Sequence, residues 1–125
     1  MMKSIKHPMR MLESDPPLSD AILDDNWMYV SGQGSVDVST GTFLLSTIEE
    51  ETRQTMENIR LILSQEEMGF HNIVKCNVHL ADMEDFDAFN AVYRTYFPNI
   101  KPARTTVQSV LMRGIKVEID CVAKK

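Results

Sequence analysis

The sequence predicts an α+β fold: one mixed β-sheet with two helices packed on one face. Three observations lead there. Residues 47–69 and 82–98 carry apolar side chains at the three- and four-residue steps of a helix. β-Branched and alternating segments lie before, between and after them. The resulting order, β-β-(β)-α-β-α-β-β, implies helices laid on one side of a sheet. A length of 125 residues suits one domain, taken as 1–125.

Residues 1–15 are read as an N-terminal strand or irregular segment, because Pro8, Pro16 and Pro17 interrupt regular structure. Two short apolar runs, 21–24 and 27–31, flank Asp25-Asn26, which is hairpin turn chemistry. Asp37-Val38-Ser39-Thr40-Gly41 reads as a second turn. For the first helix, Thr47 with Glu50 forms the pattern of a capping box, and Glu49, Glu50 and Glu51 suit the helix dipole. Ile48, Thr52, Met56, Ile59 and Leu63 form its buried face, and Gly69 its stop. Next, 73–80 alternates, with Val74, Cys76, Val78 and Leu80 on one side and Lys75, Asn77 and His79 on the other.

Asp82 and Asp85 open the second helix, whose stripe is Phe86, Phe89, Val92 or Tyr93, and Tyr96; Pro98 ends it. Two strands close the chain, 105–110 and 116–123, the latter with Val117, Ile119, Cys121 and Ala123 opposite Glu118 and Asp120. Paired as a hairpin across 112–115, they are expected to bring Arg104 and Glu118 to one region of the sheet. Two helices cover only one sheet face. Val30, Cys76 and Val117 are expected on the other, leaving apolar surface that oligomerisation would cover.

Thirteen Lys and Arg against eighteen Asp and Glu leave a net charge of −5, which disfavours nucleic acid as a partner. No apolar run approaches the ~20 residues that span a bilayer. Lys3 and Lys6 precede no apolar stretch, so no secretory signal is expected, and Cys76 and Cys121 form no CxxC. Reduced thiols and a cytoplasmic location are the expectation. His7, His71 and His79 have no ligand partners at metal-binding spacing, so no metal site is expected; His79 reads as an outward strand residue and His71 as a loop residue. Ser31-Gly32-Gln33-Gly34 lacks the lysine of a phosphate loop, no G-x-S-x-G occurs, and both cysteines read as small core hydrophobes. Arg104 is read either as a surface ion pair or as a guanidinium aimed into a cleft, where its planar fork would grip a carboxylate. Glu118 is read either as an outward strand residue or as a general base beside that cleft.

Arg104-Thr105-Thr106-Val107, then Gly114, then Val117-Glu118-Ile119-Asp120 resembles the C-terminal signature of the RidA/YjgF family, also labelled endoribonuclease L-PSP. Tyr29-Val30-Ser31-Gly32-Gln33 with Thr40-Gly41 resembles its "SGQ…TG" region. Residues 78–82, Phe86, Asn90-Ala91-Val92-Tyr93 and Phe97 resemble its second helix and the strand before it. The likeness runs from about residue 15 to 123 in unbroken order. It implies a chorismate-mutase-like α+β fold, a homotrimer with inter-subunit clefts, and hydrolysis of reactive enamines and imines such as 2-aminoacrylate to 2-keto acids and ammonia. It implies no metal and no organic cofactor. By position, Arg104 would hold the substrate carboxylate and Glu118 would place or activate water, while Ser31, Gly32, Asn90 and Thr106 would line the cleft.

Two departures accompany the likeness. Leu18 stands where the family pattern has a pocket-closing tyrosine, and Asp20 where it has glutamine; Leu111-Met112-Arg113-Gly114 lacks the usual proline. The persistence of Arg104 and Glu118 favours an imino-acid deaminase. A trimer that binds small carboxylates without turnover is the alternative that Leu18 favours, and ribonuclease activity ranks last because the chain is acidic.

Overall fold

The computed structural model describes residues 1–11 and 16–125. Ten elements build the fold: strands β1 (Met2–Ile5), β2 (Ala21–Asp24), β3 (Trp27–Gln33), β4 (Val36–Asp37) and β5 (Thr42–Phe43), helix α1 (Ile48–Ser64), strand β6 (Ile73–Leu80), helix α2 (Phe86–Tyr93), and strands β7 (Ala103–Gln108) and β8 (Val117–Lys124). Six strands form one mixed sheet in the order β1-β2-β3-β8-β6-β7. β4 and β5 form a separate small ribbon around the Asp37–Gly41 turn, where Asp37 Oδ1 accepts the Ser39 N–H and Gly41 takes φ +76°.

The β2–β3 hairpin turns at Asp25-Asn26, with Asp25 at φ +54°. The first residues are a strand, β1, paired antiparallel to β2 from Met2↔Asp24 to Ile5↔Ala21. Thr47 caps α1 through its side-chain oxygen, which accepts the Glu50 N–H. The reciprocal half of the expected box is absent: Glu50 turns outward to Arg53, and Glu51 instead accepts the Ser46 N–H. Gly69 does not stop the helix. Glu67 takes the left-handed conformation, at φ +58°, and the Met68 N–H returns to the Leu63 carbonyl, so the chain has left the helix before Gly69 is reached.

The C-terminal hairpin does not form. β6, α2 and β7 make a βαβ unit, whose helix crossover sets β7 parallel to β6. The chain then doubles back through residues 109–116, with Arg113 and Gly114 at positive φ. β8 inserts between β6 and β3, antiparallel to both. The loop is too long for a tight hairpin, and the slot beside β6 offers β8 two partners instead of one.

This order also corrects the assignment of faces. Val30, Cys76 and Val117 are buried under the helices in a core with Met28, Ile59, Ile62, Leu63, Phe89 and Ile119. The open face carries Lys75, Asn77, His79, Glu118 and Asp120. A bulge between Ile73 and Lys75 leaves Val74 exposed, outside the alternation expected of it. The open face also exposes Trp27, Tyr29 and Val107, so the apolar surface on it comes from these residues and not from Val30, Cys76 and Val117.

One buried charge ties the site-bearing elements together. Glu51, wholly buried, accepts the backbone N–H of Ser46 at 3.0 Å and of Lys116 at 2.8 Å, and lies 3.3 Å from Lys116 Nζ. A buried carboxylate supplied with two amide donors and a cation is compensated, and here it pins the start of β8 against α1.

Candidate active site

The predicted site residues fall into two groups on opposite faces of the sheet. Arg104 pairs with Cys76 in register, and Cys76 faces the helices. Glu118 pairs with His79, three residues further along β6 and on the open face. Within one chain, therefore, Arg104 and Glu118 do not share a cleft.

The first group surrounds Arg104. Its guanidinium carbon lies 4.8 Å from the ring centre of Tyr93, 5.5 Å from Phe89 and 5.7 Å from Phe86. These rings recur at steps of three and four on α2 and so share its inward face. Among the described residues Arg104 forms no ion pair, which removes the surface-pair reading. Aromatic faces attract a cation without neutralising it, so the donor edge of the guanidinium stays available. Asn90, Tyr93, Lys101 and Arg104 line a cleft of about 310 Å³. Among the described residues, buried Asn90 Oδ1 at this cleft has no hydrogen-bond partner, and the buried Tyr93 hydroxyl has only the Cys76 thiol beside it. Burial pushes the Tyr93 phenol well above its ordinary value, so it keeps its proton and remains a donor. Thr106 lies two residues beyond Arg104 on the same face, in register with buried Val78.

The second group lies on β3 and β8. Gly32 permits the close approach of Glu118: a Cβ there would stand 2.7 Å from Glu118 Oε2 and 2.9 Å from its carboxyl carbon. Ser31 donates through Oγ to the Ser19 carbonyl at 2.6 Å, and its N–H bonds the Asp20 carbonyl at 2.9 Å. Leu18, next to this anchor, is 57% exposed and brings no polar group.

From sequence, the residues that hold this second group in place have no site role, and Asp20 stands out only as a departure from the family pattern. Asp20 accepts Arg10 through both oxygens, at 2.8 and 2.6 Å, and the His7 backbone N–H at 2.8 Å. Burial alone would raise its carboxyl, but the Arg10 bonds and the His7 amide hold it below the ordinary value. His7 is almost wholly buried. Its Nδ1 accepts the Met9 N–H at 3.0 Å, so Nε2 carries the proton and donates to Asn58 Oδ1 at 3.1 Å. Asn58 in turn donates to the carbonyls of Gly34 and Val36. Burial pushes the His7 pKa down. The available signal was Asp20 itself, an acid in place of the family's glutamine, ten residues after an arginine. Lys101 also escaped notice, and Tyr93 reads only as part of the helix stripe and of the family likeness.

His79 is the outward polar residue expected of it, with Nδ1 2.8 Å from Ser109 Oγ. His71 lies in the short turn Phe70–Asn72 and is exposed. Cys76 and Cys121 are buried, directly paired across β6 and β8, and burial raises both thiols. No helix of the described residues is long and apolar enough to cross a membrane.

Comparison with known proteins places this architecture. Mouse 2-iminobutanoate/2-iminopropanoate deaminase is 41% identical over 108 residues, covering 86% of this chain and 80% of that protein. A RutC family protein of Pyrococcus horikoshii is 38% identical over 110 residues, covering 87% of each. Among solved structures, yeast Mmf1 superposes with a TM-score of 0.90 at 30% identity, over 100% of this chain and 99% of that one. RidA from the Antarctic bacterium Psychrobacter gives 0.88 at 28% identity, over 98% and 99%. The Endoribonuclease L-PSP family model matches residues 10–125. With its mixed sheet, two helices on one face and a match over nearly its whole length, the chain belongs to the RidA/YjgF (endoribonuclease L-PSP) family.

Proposed function

We propose that this chain is an enamine/imine deaminase that hydrolyses 2-imino acids of the 2-aminoacrylate type to 2-keto acids and ammonia. One observation carries the reading: a guanidinium with no anion among the described residues, held on three aromatic rings at the wall of a cleft. Relatives named for imine deamination, at about 40% identity, support it.

The substrate carboxylate binds the open edge of Arg104 through two parallel hydrogen bonds. That places the C=N carbon where water can attack it. Glu118 takes a proton from the water as its oxygen bonds to carbon, giving a carbinolamine. Starting from the protonated imine, the same proton is then returned to the carbinolamine nitrogen; the hydroxyl gives its own proton to Glu118 as C=O forms and the C–N bond breaks, and ammonia takes up that proton as it leaves with the 2-keto acid. The imine carbon is already electrophilic, so orientation and one proton carrier supply the needed chemistry without a metal or organic cofactor.

Because Arg104 and Glu118 occupy opposite sheet faces, we assign the complete site to the join between copies of the chain in a homotrimer. One copy contributes Arg104, Asn90 and Thr106; the next contributes Ser31, Gly32, Glu118 and Leu18. The position of β7 favours this arrangement. It is an edge strand, pairing only with β6 among the described residues, and it carries Arg104 at the boundary of the molecule.

The test generates 2-aminoacrylate in the assay and follows keto-acid release. Acceleration by the wild type and its loss in Arg104→Ala are expected. No acceleration, or equal acceleration by the variant, overturns the reading. Leu18, which offers no hydroxyl to close a pocket, favours a second reading: a trimer that binds small carboxylates without turnover. Tight 2-keto acid binding with no product from several imines would select it. Ribonuclease activity has the least support, since a net charge of −5 opposes phosphate binding.

A further inference from the structure

Three cations line the Arg104 cleft: Arg94, Lys101 and Arg104. No aspartate or glutamate lines it, and among the described residues none of the three forms an ion pair. This concentration stands out in a chain whose net charge is −5. Like charges gathered around a cleft repel one another, and the repulsion is relieved by an anion entering it. Even with the neighbouring copy's Glu118 at the join, a monocarboxylate on Arg104 would leave one of the three uncompensated.

Arg94 has a second role. It is the C-terminal cap residue of α2, where a cation offsets the partial negative charge of the helix end. Lys101 has no such role. It follows the irregular segment 97–100, stands three residues before Arg104, and its ammonium is a mobile point charge on a flexible stem. Within one copy the cleft encloses about 310 Å³, more than a three-carbon acid on Arg104 fills.

We infer that this cleft selects 2-imino acids bearing a second carboxylate on the side chain, with Lys101 as the specificity-determining residue and Arg94 assisting. The inference rests on the deaminase reading for its substrate class. A phosphate-bearing ligand shares the chemistry of a second anion. The dicarboxylate is favoured because the deaminase reading supplies a carboxylic acid as the substrate, and a binding comparison separates it from a phosphate.

The experiment compares imines produced in situ by an amino-acid oxidase from glutamate and from 2-aminobutyrate. The wild type is expected to process the dicarboxylic imine with a kcat/KM about 10-fold above the monocarboxylic one, and added salt should narrow the gap. In Lys101→Ala that ratio should fall by about 10-fold, mainly through KM, and in Lys101→Glu it should invert. Lys3→Ala, remote from the cleft, should leave the ratio unchanged and so controls for net charge. A wild-type ratio near one, or a ratio unmoved by Lys101→Ala, overturns the inference while the deaminase reading stands. If neither imine is processed, calorimetric binding of 2-oxoglutarate, pyruvate and 3-phosphoglycerate decides. Preference for 2-oxoglutarate, lost in Lys101→Ala, upholds the inference although the deaminase reading has failed. Equal binding of the first two, or tightest binding of the phosphate, overturns it.

Discussion

Arg10 and Arg104 occupy opposite electrostatic circumstances. Arg10 grips the buried Asp20 through two bonds, and that pair joins a network that ties His7 and Asp20 to Asn58 of α1. Arg104 lies on three rings and has no anion among the described residues. A guanidinium matched to a carboxylate in its own chain serves the fold. One positioned by uncharged groups keeps its charge for something that arrives from outside. The same residue type therefore has two functions, and the difference lies in what surrounds it.

Substitutions can break that comparison from either side. The largest effect is expected at Arg104. Arg104→Ala should lower kcat/KM for a 2-imino acid by about 100-fold or more, and Arg104→Lys should recover little, because a point charge does not reproduce the two-bond grip. The urea midpoint should change little in either variant, since no protein anion loses its partner. Glu118→Gln should cost a similar factor in kcat, with folding again preserved, in steady-state assays. At Arg10 the pattern should reverse: Asp20→Asn should destabilise the fold by about 2–3 kcal/mol in urea unfolding, because it removes the charged half of a two-bond, partly buried pair.

A smaller effect sharpens the contrast between the two halves of the site. Gly32→Ala would place a methyl against the Glu118 carboxyl. The carboxyl is the mobile end of its side chain, so the expected outcome is a loss of about 10-fold in kcat through a displaced Glu118, with nearly native stability. The smallest effect concerns pH. The native pKa of His7 lies below its ordinary 6.5, so below that value the unfolded chain binds protons that the folded chain resists. Stability should be fully present above about pH 6.5 and fall as the solution is acidified. Urea midpoints measured from pH 7.5 to 5 should show this slope in the wild type and a weaker one in His7→Gln.

The fold class was legible because its signals are local. The helical spacing around Ile59 and the alternation of 117–123 needed no distant partner to be read. The strand order was not legible, because the choice of β8 between β6 and β7 is made by tertiary pairing, and that choice separated Arg104 from Glu118. The face assignment failed for the same reason: alternation shows that Cys76 and Lys75 point apart, but not which side the helices cover. At the site, Arg104 could be suspected as an arginine opening a strand of otherwise uncharged residues. Its aromatic seat could not, since Phe86, Phe89 and Tyr93 also read as an ordinary core stripe. The His7–Asp20 network depends on contacts between residues as far apart as His7 and Asn58, which no spacing rule reports.

The central claim is that one copy supplies Arg104 and its neighbour supplies Glu118. Arg104→Ala and Glu118→Gln, each inactive alone, can be denatured together and refolded as a mixture. In a cyclic trimer each mixed assembly holds one interface with both native residues, so an equal mixture should regain about a quarter of wild-type activity. A mixture no more active than its components would contradict the shared site.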